Sequence, residues 1–314
     1  MATQTWAFQV TNEHANPFNY KHNKEYTNLC AQAITMDEIL PLAGLNWTIH
    51  EEPMFRANGN KVRESKVIIR DDTDDEIATV GKDYKMTQNA DSLSIMADLL
   101  GDGVTFAGGG SFRGGRSVWL QAHVSEGYKI LDDDMDDYIV IKDTHDGSGS
   151  LSICMTPRRI WCLNCINPAF KTAKRRIFLR HTRNIMVRLD EAREILFHAS
   201  QYRVELAGFA EEMFRKKVSD AQVKAMLNSI FPVTDKSTEL VKRNAEEKKE
   251  AFYVCYAAPD IAKFQGTAWG VINAASDLVC HSLPHKNTQS YEDYNFESIM
   301  SGHPVFDKVV SYLA

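Results

Sequence analysis

The sequence predicts an α+β fold, with a mostly antiparallel twisted sheet in the N-terminal half packed against a long-helix C-terminal half. Three observations lead to it. Up to Arg183 the apolar residues alternate or run in short blocks between turn residues, as strands do. Beyond Arg183 they recur every three or four positions over long stretches, as helices require. No repeat or low-complexity linker separates the two regimes, so residues 1–183 (strand-rich, with a basic segment) and 184–314 (helical) read as two regions of one continuous fold.

Taken in order, Thr35 and Glu38 form a capping box for a short helix over Met36 to Ala43. Leu45 to Ile49, Lys66 to Arg70 and Glu76 to Val80 read as strands. Asn89 reads as the cap of a helix over Ala90 to Leu100, which Gly101 and Gly103 stop. Val104 to Ala107 and Ser117 to Val124 flank a glycine-rich turn, as in a hairpin. Tyr138 to Lys142 and Ser150 to Cys154 are two further strands. In the second half, Ile185, Leu189, Ala192, Leu196, Ala199, Leu206, Ala210 and Met213 form one stripe of a helix from Ile185 to Lys217, interrupted by Arg203 alone. Ser219 to Ile230, Thr238 to Tyr256, Thr267 to Cys280 and Val305 to Leu313 follow as helices.

Charge is distributed unevenly. The chain has 36 Lys and Arg against 42 Asp and Glu, a net charge of −6. From Gly147 through Leu189 there is no acid at all, yet nine basic residues fall there: Arg158, Arg159, Lys171, Lys174, Arg175, Arg176, Arg180, Arg183 and Arg188. The remaining 27 basic residues against 42 acidic ones leave −15. An acidic chain that gathers positive charge into one segment has the electrostatic footprint of a phosphate-bearing partner. Ala169 to Arg176 reads as helical, with Lys171, Lys174 and Arg175 on one face. Trp161, Phe170 and Phe178 are interleaved with the charges; Trp161 and Phe178 sit among apolar neighbours and read as core.

Other candidate sites are weaker. Gly110 to Ser117 approximates a phosphate-binding P-loop, but a strand follows it where that loop requires a helix. As a hairpin turn it presents Arg113, Arg116 and Phe112. Cys162-Leu163-Asn164-Cys165 is one CxxC pair, half of an ordinary structural zinc set. Asp71 to Glu76 and Asp132 to Asp137 lack the calcium-loop spacing and read as solvated loops. The alternative for them is contact with the basic segment of a neighbouring subunit. Six scattered cysteines fit a reducing compartment. The polar stretch Met1 to Tyr20 has no signal-peptide pattern, and no run approaches a membrane span of ~18 apolar residues.

Several segments together resemble a family of phage and plasmid proteins of unknown function. They are Ala43-Gly44-Leu45-Asn46-Trp47, Ile69-Arg70-Asp71-Asp72, Val80-Gly81-Lys82-Asp83-Tyr84 with Gln88-Asn89, Gly115-Arg116-Ser117-Val118-Trp119 and His145-Asp146-Gly147-Ser148. Thr156-Pro157-Arg158-Arg159-Ile160-Trp161-Cys162-Leu163-Asn164, Arg180-His181-Thr182 and Thr267-Ala268-Trp269 with Asn273-Ala274 complete the set. The family often has Thr where this chain has Cys165, which weakens a zinc reading. The layout is also similar in outline to phage single-strand annealing proteins of the RecT and Red-beta kind, a likeness of architecture only.

These readings lead to an expected function of nucleic-acid binding, with single-stranded DNA favoured, in recombination or replication within the host cytoplasm. Arg158, Arg159, Lys171, Lys174, Arg175, Arg176, Arg180 and Arg183 are expected to hold phosphates, with Arg113 and Arg116 clamping from the hairpin turn. No cofactor, metal or membrane is expected, and a homo-oligomer is. The alternatives are an interaction protein that inhibits a host defence or replication factor, and a metal-dependent nuclease using His145, Asp146 and His181. The sequence contains no complete catalytic set for the last of these.

Overall fold

A computed structural model describes residues 35–100, 105–123, 128–159, 176–179, 185–283, 296, 298 and 302–314. Helix α1 (Met36–Leu42) opens on the expected capping box: the Thr35 amide and hydroxyl both donate to the Glu38 carboxylate, at 3.0 and 3.1 Å. Strands β1 (Ile49–Phe55), β2 (Lys61–Arg70) and β3 (Asp75–Gly81) form a three-stranded antiparallel meander. Leu45 to Thr48, read as strand, instead form the turn-like approach to β1, because their backbone is taken up by side chains elsewhere. The expected helix after Asn89 is present as two short pieces, α2 (Asn89–Leu93) and α3 (Ile95–Leu100).

The larger sheet comprises β4 (Thr105–Phe112), β5 (Ser117–His123), β6 (Tyr128–Ile130), β7 (Asp133–Thr144), β8 (Leu151–Arg159) and β9 (Arg176–Leu179). Its order is β4-β5-β7-β8-β9, with β6 paired to β7, and every pairing is antiparallel. β5 is buried along nearly its whole length because both faces are covered. On one face Val118, Leu120, Ile139, Ile141 and Ile153 pack with Ile39, Leu45, Trp47 and Ile68 of the N-terminal elements. On the other, Phe112, Trp119, Val140 and Cys154 pack with Tyr202, Leu206 and Trp269 from the helices. One apolar cluster therefore draws on both sides of position 183.

The helical half runs as α4 (Ile185–Arg215), α5 (Asp220–Ile230), α6 (Glu239–Tyr256), α7 (Ala268–Asp277) and α8 (Pro304–Leu313). Ser219, Thr238 and Thr267 cap α5, α6 and α7 by accepting backbone N–H groups, as short hydroxyl side chains do at helix starts. Gly270 lies so near the preceding 3-10 turn that a β-carbon there would sit 2.3 Å from the Phe264 carbonyl oxygen. No described helix is long and apolar enough to cross a membrane.

Candidate nucleic-acid interface

The ten expected phosphate contacts divide by position. Lys171, Lys174, Arg175, Arg180 and Arg183 lie outside the described residues, as do Trp161, Phe170, Cys162, Cys165 and His181. Arg113 and Arg116 lie on the β4–β5 turn, at the end of the sheet where Ser117 pairs with Thr144. Arg158 and Arg159 lie at the other end, in register with Asp136 and Met135. Eight strand steps separate Leu151 from Arg159, roughly 26 Å at ~3.3 Å per residue. Arg113 and Arg116 thus lie at one end of the sheet and Arg158 and Arg159 at the other, while β9 pairs with the Leu151–Cys154 part of β8, toward the Arg113 and Arg116 end.

Arg176 begins β9 as a strand residue and not as the end of the expected helix. β9 is held to β8 with Cys154 opposite Arg176 and Ser152 opposite Phe178. Alternation places Arg176 and Phe178 on one face, and Ile177 on the other, where it packs against the N-terminal cluster. Phe178, read as core, is 62% exposed, with the Arg176 guanidinium 4.4 Å from its ring centroid. The Nη2 of that guanidinium donates to the Ser152 hydroxyl at 3.2 Å. The edge position explains the exposure: beyond β9 no described strand covers the ring.

The β4–β5 turn is tightly built. Arg113, Gly114 and Gly115 take positive φ of 51, 68 and 104°. At Gly115 a β-carbon would lie 2.9 Å from the Trp47 ring, so glycine is required there for both backbone and space. Arg113 is paired to Asp146 at 3.2 Å, and so is partly engaged within the protein. Arg116 is exposed, and its carbonyl accepts the His145 amide at 2.9 Å. Phe112, read as displayed by this turn, is instead buried against Trp119 and Phe296.

His145 has no exposed surface. Asn89, expected as a helix cap, is displaced from that role by Gln88 and donates its side-chain N–H groups to the Leu45 and Trp47 carbonyls at 3.0 and 3.1 Å. Its oxygen is thereby left facing His145 Nε2 at 2.7 Å, so Nε2 must be the protonated nitrogen. Trp47 meets the imidazole edge-on at 5.7 Å and carries Arg70 on its ring at 4.4 Å. Tyr84 donates to the Thr144 carbonyl at 3.0 Å, and burial together with Asp143, Asp146 and Glu51 holds its phenol un-ionised. Five of the sequence segments quoted for the family resemblance thus meet around one imidazole and join the two sheets. Asp146 accepts from the Ser148 amide and hydroxyl, closing the turn. Among the described residues no group of three His, Cys, Asp or Glu is placed to hold a metal ion.

The acidic run after Asp132 is not a solvated loop. Asp133 to Asp137 form the first part of β7, with Asp133 and Asp137 buried. Asp134 pairs with Lys129 at 3.0 Å, Asp133 with Lys263 at 3.2 Å and Asp136 with His123 at 3.2 Å. Asp137 accepts from Tyr128 at 2.9 Å and is ion-paired with Arg203. These carboxylates are engaged within the chain, which removes them as the complement of a neighbour's basic segment.

One cationic feature was not anticipated. Lys61, Arg63, Lys66, Lys82 and Lys85 line an open cleft on the three-stranded sheet. The available signal was the basic alternation Lys61-Val62-Arg63, which Glu64 and the flanking acids obscure at the level of net charge.

Against known proteins, one family matches, described as a domain of unknown function (DUF932), over residues 76–300. No curated protein and no solved structure matches. The likeness to RecT and Red-beta annealing proteins therefore has no support beyond layout.

Proposed function

We propose that this chain, which belongs to the domain-of-unknown-function family DUF932, binds single-stranded nucleic acid along the β8–β9 edge of its larger sheet. The observation that carries the reading is the exposed Phe178 ring with Arg176 stacked on it, set inside the acid-free basic stretch. An aromatic face at a sheet edge supplies sequence-tolerant stacking for a base, and neighbouring cations supply phosphate affinity. A strand laid along β8 would follow roughly 26 Å of sheet, a span of several nucleotides. Contacts of this kind hold the backbone and leave base edges free, as annealing requires. In this reading the protein serves a phage or plasmid in the cytoplasm of its host and acts as a homo-oligomer.

Fluorescence anisotropy with a labelled oligonucleotide tests it. If ~5 phosphates are neutralised, affinity falls on the order of 100-fold between 50 and 200 mM salt, from a slope of roughly −0.7 per phosphate. A flat salt response, or no binding at low salt, overturns the proposal.

A further inference from the structure

The cleft on the small sheet has a volume of about 360 Å³, and Glu51 and Glu52 line it beside the five basic residues. Five cations face two carboxylates there, in a chain whose overall balance is acidic. The internal pairings leave a positive surplus. Lys66 is held near the floor, its ammonium donating to Glu51 at 2.6 Å and to the Tyr84 carbonyl at 2.8 Å. An ammonium has three donors, so one N–H remains after these two bonds. Lys82 pairs with Glu64 at 2.7 Å, and Glu52 lies 3.4 Å from His50. Lys61, Arg63 and Lys85 are exposed and form no ion pair among the described residues.

Gathering like charges around a concavity opposes folding by mutual repulsion, and an anion relieves it. Lys66, held by its two bonds, and the exposed Lys61, Arg63 and Lys85 present several donors around a lining whose apolar residues are Pro53 and Val62, which suits phosphate oxygens better than an apolar ligand. We infer that this cleft is a phosphate-binding site, distinct from the β8–β9 edge, for the phosphates of either a polynucleotide strand or a free nucleotide. It stands on its own residues and does not depend on the edge reading.

The test uses the full chain and two probes, inorganic tripolyphosphate and a labelled oligonucleotide. The variants are Lys61→Ala with Arg63→Ala, and separately Lys85→Ala. All three side chains are exposed, so the fold is retained, which circular dichroism checks. Titration calorimetry with tripolyphosphate is expected to show salt-sensitive binding that weakens at least about tenfold in the double variant and less in Lys85→Ala. If the source is a polynucleotide, the double variant also lowers the oligonucleotide salt slope by about 1.4, at ~0.7 per phosphate. If it is a free nucleotide, the oligonucleotide slope is unchanged while tripolyphosphate binding is lost. Absence of tripolyphosphate binding, or binding unaltered in both variants, overturns the inference. A Phe178→Ala variant reads the other surface: loss of oligonucleotide binding there, with tripolyphosphate binding intact, separates failure of one site from failure of the other.

Discussion

Arg203, the one charge that breaks the apolar stripe of the long helix, is ion-paired with Asp137, a carboxylate that β7 buries completely. Tyr128 completes the arrangement from the neighbouring strand, its hydroxyl on the other carboxylate oxygen and its ring 5.3 Å from the guanidinium. Burial pushes the Asp137 carboxyl above its ordinary value, against the pull of Arg203 and Tyr128. The pair joins the strand-rich and helical halves at their shared core.

Removing Arg203 strands the buried carboxylate. Arg203→Ala is expected to cost about 3 kcal/mol, the lower end for a broken buried pair because Arg203 is itself one-third exposed. Asp137→Asn in the same chain recovers part of that loss, and the urea midpoints of the three proteins measure it. The sign with pH follows from the raised carboxyl. A group whose pKa rises on folding contributes most below its unfolded value and loses that contribution as pH climbs through the folded one. Relative to Asp137→Asn, the parent chain therefore loses stability on going from acid toward neutral pH.

Asn89 satisfies two buried carbonyls and the His145 imidazole at once. Asn89→Leu leaves all three without that partner. Each unsatisfied buried group costs about 1–3 kcal/mol, so a loss of more than ~3 kcal/mol is expected. Thermal unfolding followed by tryptophan fluorescence is a suitable reading, since Trp47 sits in the same contact. A change below ~1 kcal/mol would show that the hub is not a structural joint.

His303 caps the last helix, its Nδ1 accepting the Val305 amide at 3.2 Å, and burial pushes its pKa down to about 4. Protonation removes that acceptor. Because the folded value lies below the ordinary 6.5, the contribution is full above 6.5 and is lost as pH falls toward about 4. His303→Asn keeps a capping acceptor that does not titrate in this range. Melting temperatures at pH 7 and pH 5 should diverge less in the variant than in the parent.

Phe178→Ala removes the exposed ring and leaves the β9 backbone pairing in place. Loss of one stacked base is worth about 1–3 kcal/mol, or roughly 5- to 150-fold in oligonucleotide affinity. The effect should be similar across sequences, because every base offers a π-face. Anisotropy with oligo-dT and a mixed sequence reads it; unchanged affinity would exclude the ring from the contact.

Much of this fold was legible in the sequence, and particular residues show where legibility stopped. The glycine-rich turn before Ser117 announces its hairpin because positive φ is a local demand. The fours and threes from Ile185 onward announce the long helix for the same reason. Asn89 misleads because a capping position and a buried bridging position favour the same side chain, and its acceptors lie more than 40 residues upstream. The acidic run misleads because composition cannot reveal that Arg203, 66 residues downstream, pairs with Asp137, or that Lys263 pairs with Asp133. Phe178 reads as core from its apolar neighbours, yet strand alternation and an edge position turn it outward. The clustering of basic residues is plain in the sequence; that Arg113 and Arg116 lie at the opposite end of the sheet from Arg158 and Arg159 depends on pairing register.

The hub around His145 also bears on where the heritable unit begins. The family match starts at residue 76, yet Leu45 and Trp47, which anchor Asn89, come before it. Ile39, Leu45, Trp47, Ile49 and Ile68 also roof the sheet residues Val118, Leu120, Ile139 and Ile141. At about 1.5–3 kcal/mol for each buried aliphatic or aromatic side chain, that roof is worth on the order of 10 kcal/mol, comparable to the whole stability of an ordinary domain. A fragment trimmed to the matched span would expose an oily sheet face. The matched span of this chain therefore depends, for one face of its larger sheet, on residues that precede it.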